Sequence, residues 1–117
     1  MKRLIPLAVA AAGFTLMSAA PASAATSTVY AAGLTFAPPG AVVHVGDSVQ
    51  LTNDDILTHT LTSTQLNTAG QRLFDTGFVS GGGNSALATG VETLAPGNYA
   101  FVCLLHPWMR GVIVIVQ

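Results

Sequence analysis

The side chains best suited to chemistry are gathered in seven residues, Cys103-Leu104-Leu105-His106-Pro107-Trp108-Met109, a C-x-x-H-x-x-M spacing. Cys103 is the only cysteine and Trp108 the only tryptophan of the chain, and Met109 is the only methionine beyond residue 17. Thiolate, imidazole and thioether are the side chains that hold copper in trigonal sites built from two histidines and one cysteine, with a weak axial sulfur. The run supplies one imidazole, so a second must come from elsewhere, and His59 is the residue the sequence offers. Taken singly, each residue has a plainer reading: Cys103 as a small core hydrophobe, His106 as a surface loop residue, Met109 as a gap-filler. Their joint occurrence, with His59 upstream, selects metal binding.

The cysteine count bears on the compartment as well. Lys2 and Arg3 precede an apolar stretch over 4–17, and Ala22-Ser23-Ala24 closes it. A charged start, an apolar centre and an A-x-A end form the pattern of a cleaved secretory signal peptide. The apolar stretch is too short for a membrane span. The expected organisation is therefore a signal peptide over 1–24 and one domain over 25–117, in a periplasm or outside the cell. No cysteine stands at the cleavage site to carry a lipoprotein anchor. Exported domains of this size often rely on disulfides, which a single cysteine cannot form within the chain. A lone thiol in an oxidising compartment must be buried, paired between chains or coordinated.

Charge removes several function classes. Without residues 1–24 the only cations are Arg72 and Arg110 against five carboxylates, a net charge of −3. No basic face can be assembled for nucleic acid, and no polybasic patch for a membrane surface. Gly81-Gly82-Gly83-Asn84 is no phosphate cradle, because no Lys-Ser/Thr pair or helical pattern follows it. An enzyme using Cys103 as nucleophile and His106 as base would lack an orienting group and an oxyanion donor set, and would leave His59 and Met109 without a role. A structural zinc site has little use for a thioether.

The elements that must position these residues read as short strands. Residues 27–32, 42–45, 48–53, 57–63 and 98–103 are extended or alternating runs, 85–94 contains a further strand, and turn signals at Pro38-Pro39-Gly40, Gly46-Asp47, Asn53-Asp54-Asp55 and Pro96-Gly97 divide them. In 57–63, Leu57, His59 and Leu61 share one face, so His59 is expected to point with the leucines toward the core. Tyr99, Phe101 and Cys103 likewise share a face, which brings the thiol inward at a strand end. His44 is expected to face solvent. The final run 111–117 has no polar face, which suits a strand covered on both sides. Seven or eight such strands imply an all-β, Greek-key β-sandwich.

An ordered set of motifs resembles the cupredoxins, the small blue copper proteins, and within them the plastocyanin/amicyanin-like branch. The matching residues are Leu34-Thr35-Phe36 with Pro38 or Pro39, Gly46-Asp47 with Val45 and Val49, Asn53-Asp54, His59-Thr60, Phe74-Asp75 with Gly77, Pro96-Gly97 with Tyr99, Phe101 and Cys103, and the C-x-x-H-P-x-M loop. The short loop is most similar to that of amicyanin. The resemblance implies one copper ion cycling between Cu(II) and Cu(I), with His59, Cys103, His106 and Met109 as ligands. It implies a monomer that carries single electrons between a donor and an acceptor redox protein by transient docking, not an enzyme. It further implies supporting roles for Asn53 and Thr60, a docking patch at Pro107 and Trp108, and protonation of His106 in the reduced protein at low pH. The chain departs from the pattern at Thr60, where the relatives carry Asn, at Thr58, where many carry Pro, and at Trp108, where Phe is common. A copper carrier or storage protein would use the same ligands without a redox partner, and would exchange its copper readily.

Overall fold

Glycines and prolines cut the chain into short extended runs, and most of those runs become strands. The computed structural model describes residues 24–117; the expected leader lies, but for Ala24, outside the described residues. The strands are β1 (Thr26–Ala32), β2 (Thr35–Ala37), β3 (Gly40–His44), β4 (Ser48–Asn53), β5 (Thr62–Ser63), β6 (Asn84–Leu87), β7 (Gly97–Val102) and β8 (Arg110–Val116). A 3-10 turn at Val91–Thr93 is the sole helical element among the described residues. Two four-stranded sheets, in the orders β2-β1-β4-β6 and β3-β8-β7-β5, pack face to face. β1 runs parallel to β4 and β3 parallel to β8, while the other pairs are antiparallel. The all-β sandwich expected from the strand pattern is the fold observed.

Alternation along each strand decides the core. β4 buries Val49, Leu51 and Asn53, β1 buries Val29 and Ala31, and β8 buries Ile113 and Ile115. Phe101 of β7 meets Phe36 of β2 edge to face, with ring centroids 5.0 Å apart, and so ties the two sheets together. Each large side chain taken fully out of water contributes about 1.5–3 kcal/mol. Gly111 is required where β8 begins: a Cβ there would overlap the Pro39 carbonyl and the Phe101 ring.

Two expectations are corrected. The run 57–63 is not one alternating strand: His59 and Leu61 are buried, but so are Thr60 and Thr62, and Leu57 is 47% exposed. Ladder pairing is confined to Thr62–Ser63, with isolated bridges from His59 to Val79 and from Thr62 to Asp75. The segment is hydrogen-bonded along both edges, to β7 and to residues 74–79, and His59, Thr60, Leu61 and Thr62 are all fully buried, so both of its faces are covered and its hydroxyls find partners inside. The further strand expected within 85–94 is present as β6, and beyond Leu87 the chain turns at Gly90, φ +116°, into the 3-10 turn over Val91. Finally, β8 is covered on one face only among the described residues: Val112 is 42% exposed and Val114 and Val116 are half-buried. β-Branched residues favour the pleated strand even on its wet face.

Candidate metal centre

The candidate ligands reach one end of the sandwich on two segments. β7 carries Phe101 inward and, two residues on, the chain buries Cys103 completely. The loop that follows folds back at once: the Cys103 N–H donates to the Met109 carbonyl at 3.0 Å, and the Met109 N–H donates to the His106 carbonyl at 2.8 Å. These bonds bring Met109, 1% exposed, beside Cys103. His59 arrives from the segment before β5, held by reciprocal backbone hydrogen bonds with Val79 at 3.1 and 2.8 Å.

Three donor atoms converge. His59 Nδ1 lies 3.1 Å from His106 Nδ1, and Cys103 Sγ lies 3.7 Å from each. The imidazole rings meet edge to face, with centroids 4.8 Å apart. A transition ion bonds imidazole nitrogen at about 2.0–2.1 Å and thiolate sulfur at about 2.3 Å. Each edge of the triangle is shorter than the two bonds it must bridge, so one ion can reach all three atoms. His59 and Cys103 are fully buried, and His106 is half-buried. Two imidazoles and one thiolate form the trigonal donor set of blue-copper sites.

Around the triangle, backbone and hydroxyl groups hold the loops in register. The Thr60 N–H donates to Cys103 Sγ at 3.4 Å, and Thr60 Oγ1 accepts the Leu104 N–H at 3.0 Å. Thr62 Oγ1 lies 2.8 Å from both Thr60 Oγ1 and Asp75 Oδ1. A carboxylate only accepts, so the single Thr62 proton goes to Asp75 and the Thr60 hydroxyl donates to Thr62. Thr60 thus performs the loop-holding task with a hydroxyl. Asn53, also fully buried, touches no candidate ligand side chain; its Nδ2 donates to the carbonyls of Leu57 and Val79 at 2.8 Å each, and its Oδ1 accepts the Asp55 N–H. It braces the backbone on either side of His59. Pro107 and Trp108 are exposed, the indole at 63%, and the Trp108 ring lies against His106 with centroids 5.4 Å apart. His44 faces solvent, away from the centre.

Sequence reasoning missed Asp55. Its Oδ2 lies 2.8 Å from His59 Nε2, on the far side of the ring from the triangle. Partial burial works to raise its pKa, but hydrogen bonds from the Leu34 N–H, His59 and the Gly33 N–H outweigh it and hold the carboxyl below its ordinary value. Asp55 reads from sequence as a turn former; the available signal was its place four residues ahead of the candidate ligand.

The sequence matches no family model and no curated protein. The backbone does match solved structures. A methionine-to-alanine mutant of amicyanin in its Cu(I) form aligns at a TM-score of 0.65 and 21% identity, covering 85% of this chain and 88% of that one. A purple cupredoxin from Nitrosopumilus maritimus aligns at 0.60 and 21% identity, covering 77% and 99%. The fold is that of the cupredoxins. A copper-containing nitrite reductase from Thermus scotoductus aligns at 0.63 and 25% identity over 79% of this chain, but only 22% of its own length is covered. The cupredoxin fold is thus matched both by single-domain proteins and by one part of a larger enzyme. In this cupredoxin fold the His59, Cys103 and His106 donors stand together where the loops leave the two sheets.

Proposed function

We propose that this protein is an exported blue copper protein that carries single electrons between redox partners. The observation that carries the reading is the convergence of His59 Nδ1, His106 Nδ1 and Cys103 Sγ at 3.1 and 3.7 Å. Those three groups would hold copper, with the Met109 thioether as the weak fourth ligand. Bound copper supplies a Cu(II)/Cu(I) couple, for which imidazole and soft sulfur together suit both oxidation states.

The protein's own residues do the rest. Buried backbone hydrogen bonds fix the loop that carries three of the four ligands, so the donors have little room to rearrange when an electron moves. Phe101 and Phe36, both buried, pack edge to face in the core, and His106, half-buried, is the ligand with an edge toward solvent. Leu104, Leu105 and Trp108 surround it, 44–63% exposed, with Pro107 beside them. This uncharged patch suits brief encounters, since weak redox complexes typically bury less than about 1,200 Å². The fold's likeness to free-standing amicyanin and to a purple cupredoxin supports a monomeric carrier over an enzyme.

Export is part of the proposal. The folded domain takes up directly after the expected cleavage site: the Ala25 N–H bonds Asp47 Oδ1 at 3.0 Å, and β1 begins at Thr26. No helix among the described residues is long and apolar enough to cross a membrane. A periplasmic location fits the single cysteine, which coordination would protect.

The test is a visible spectrum of the 25–117 chain after one equivalent of Cu(II), then ascorbate. A strong blue band that bleaches on reduction and returns on oxidation is expected. Copper uptake without that band, with Cys103 still reactive as a thiol, would favour the copper-carrier alternative.

A further inference from the structure

The His59 ring is fully buried, and its two nitrogens face different worlds. Nδ1 looks into the donor triangle, while Nε2 lies 2.8 Å from Asp55 Oδ2, a side chain itself only 15% exposed. A carboxylate cannot donate, so the proton of that bond belongs to His59 Nε2, and in the neutral imidazole the lone pair is then on Nδ1. Asp55 has a second attachment. Its Oδ1 accepts the Gly33 N–H at 2.6 Å, and its Oδ2 accepts the Leu34 N–H at 3.0 Å.

Gly33 and Leu34 form the turn between β1 and β2, each at φ +60°, and Leu34 is the one non-glycine residue with positive φ among the described residues. Two consecutive positive φ values are the mark of the tight hairpin turn that ordinarily takes Asn-Gly or Gly-Gly. Leucine in that conformation is strained, because its Cβ crowds the following carbonyl oxygen. The turn persists with both amides aimed at the carboxylate that His59 also reaches, which fixes Asp55 in place.

We propose that Asp55 is the positioning residue of the copper centre, clamping His59 as the Nε2–H tautomer with Nδ1 turned to the metal and lowering the reduction potential through its charge. The proposal rests on the copper reading above. A carboxylate hydrogen-bonded to a ligating imidazole fixes the ring and raises its basicity. A more basic ligand favours the more highly charged Cu(II). The β1–β2 turn is the anchor that keeps the carboxylate in place, so an exposed hairpin far from Cys103 in sequence is wired to a ligand by one side chain.

Two measurements test this. In the full chain, processed on export and loaded with copper, Asp55→Asn removes the charge while the amide oxygen can still accept from His59. The blue band is expected to remain. Cu(II) affinity should fall by about 10–100-fold, as for other such partners of metal ligands, and Cu(I) affinity by less. The potential should rise by about 59 mV for each tenfold difference between the two losses. An unchanged potential with copper bound overturns the proposal. Independently of any variant, nitrogen NMR of the copper-free wild type should find His59 protonated at Nε2 and bare at Nδ1; the opposite tautomer overturns it. That tautomer is read without copper, so its outcome stands apart from the copper reading, which fails only if the wild type shows no blue band.

Discussion

The Thr60 hydroxyl accepts the Leu104 N–H at 3.0 Å, one residue beyond the thiol that the Thr60 N–H itself reaches at 3.4 Å. One buried residue therefore holds the start of the ligand loop twice, once through its backbone and once through its side chain. Thr60→Val keeps the shape but leaves the Leu104 amide without its acceptor. Losing one such hydrogen bond costs about 0.5–1.5 kcal/mol. Urea unfolding of the copper-free protein should show that loss, and Thr60→Ser, which restores the oxygen, should recover most of it.

Cys103 is fully buried and supplies the only thiol. Cys103→Ser, close to it in volume, should leave the far-ultraviolet circular dichroism unchanged and abolish the blue band on Cu(II) addition. A variant that still turned blue would mean that the colour does not arise at this sulfur.

Met109 is held beside Cys103 by the backbone bond between them, and its side chain is buried. In trigonal copper sites the weak axial ligand tunes the potential more than it holds the metal. Met109→Gln should therefore retain one equivalent of copper and shift the potential measured by voltammetry. Complete loss of copper binding would argue against an axial role.

Trp108 packs against the His106 ring while 63% of it stays exposed. Electron self-exchange, read from NMR line broadening in mixtures of oxidised and reduced protein, needs two copies to meet through the patch around His106. Trp108→Ala should slow it by about tenfold, equivalent to ~1.4 kcal/mol of lost encounter stability, with the visible spectrum unchanged. An unaltered rate would place the docking face elsewhere.

Gly111 has the Pro39 carbonyl and the Phe101 ring where a Cβ would stand. Gly111→Ala should destabilise the fold by about 1–3 kcal/mol, the usual cost of forcing an added carbon into a packed core. A thermal melt of the copper-free protein measures it. No loss of stability would mean that β8 can shift away from Pro39 freely.

How much was legible in advance differs from residue to residue. The alternation of 48–53 and of 98–103 was readable because one side of each strand is core, and a period of two records that in sequence. The run 57–63 misled for the converse reason. Once both faces are covered, threonines are buried as readily as leucines, provided their hydroxyls find acceptors, as Thr60 and Thr62 do. The uniformly apolar 112–116 misled in the other direction, because a strand may keep valines on a wet face for their conformational preference alone.

The sequence by itself determined the donor chemistry and the fold class. Thiol, imidazole and thioether within seven residues, and short runs between turn residues, are local facts written in residue type and spacing. Tertiary structure alone decided which atoms meet. His59 is 44 residues from Cys103, and Asp55 is 21 residues from Leu34. Those contacts exist because sheet order and loop closure bring distant segments to one end of the sandwich. No local pattern records them, since a hydrogen bond fixes the distance between two atoms and not their separation along the chain.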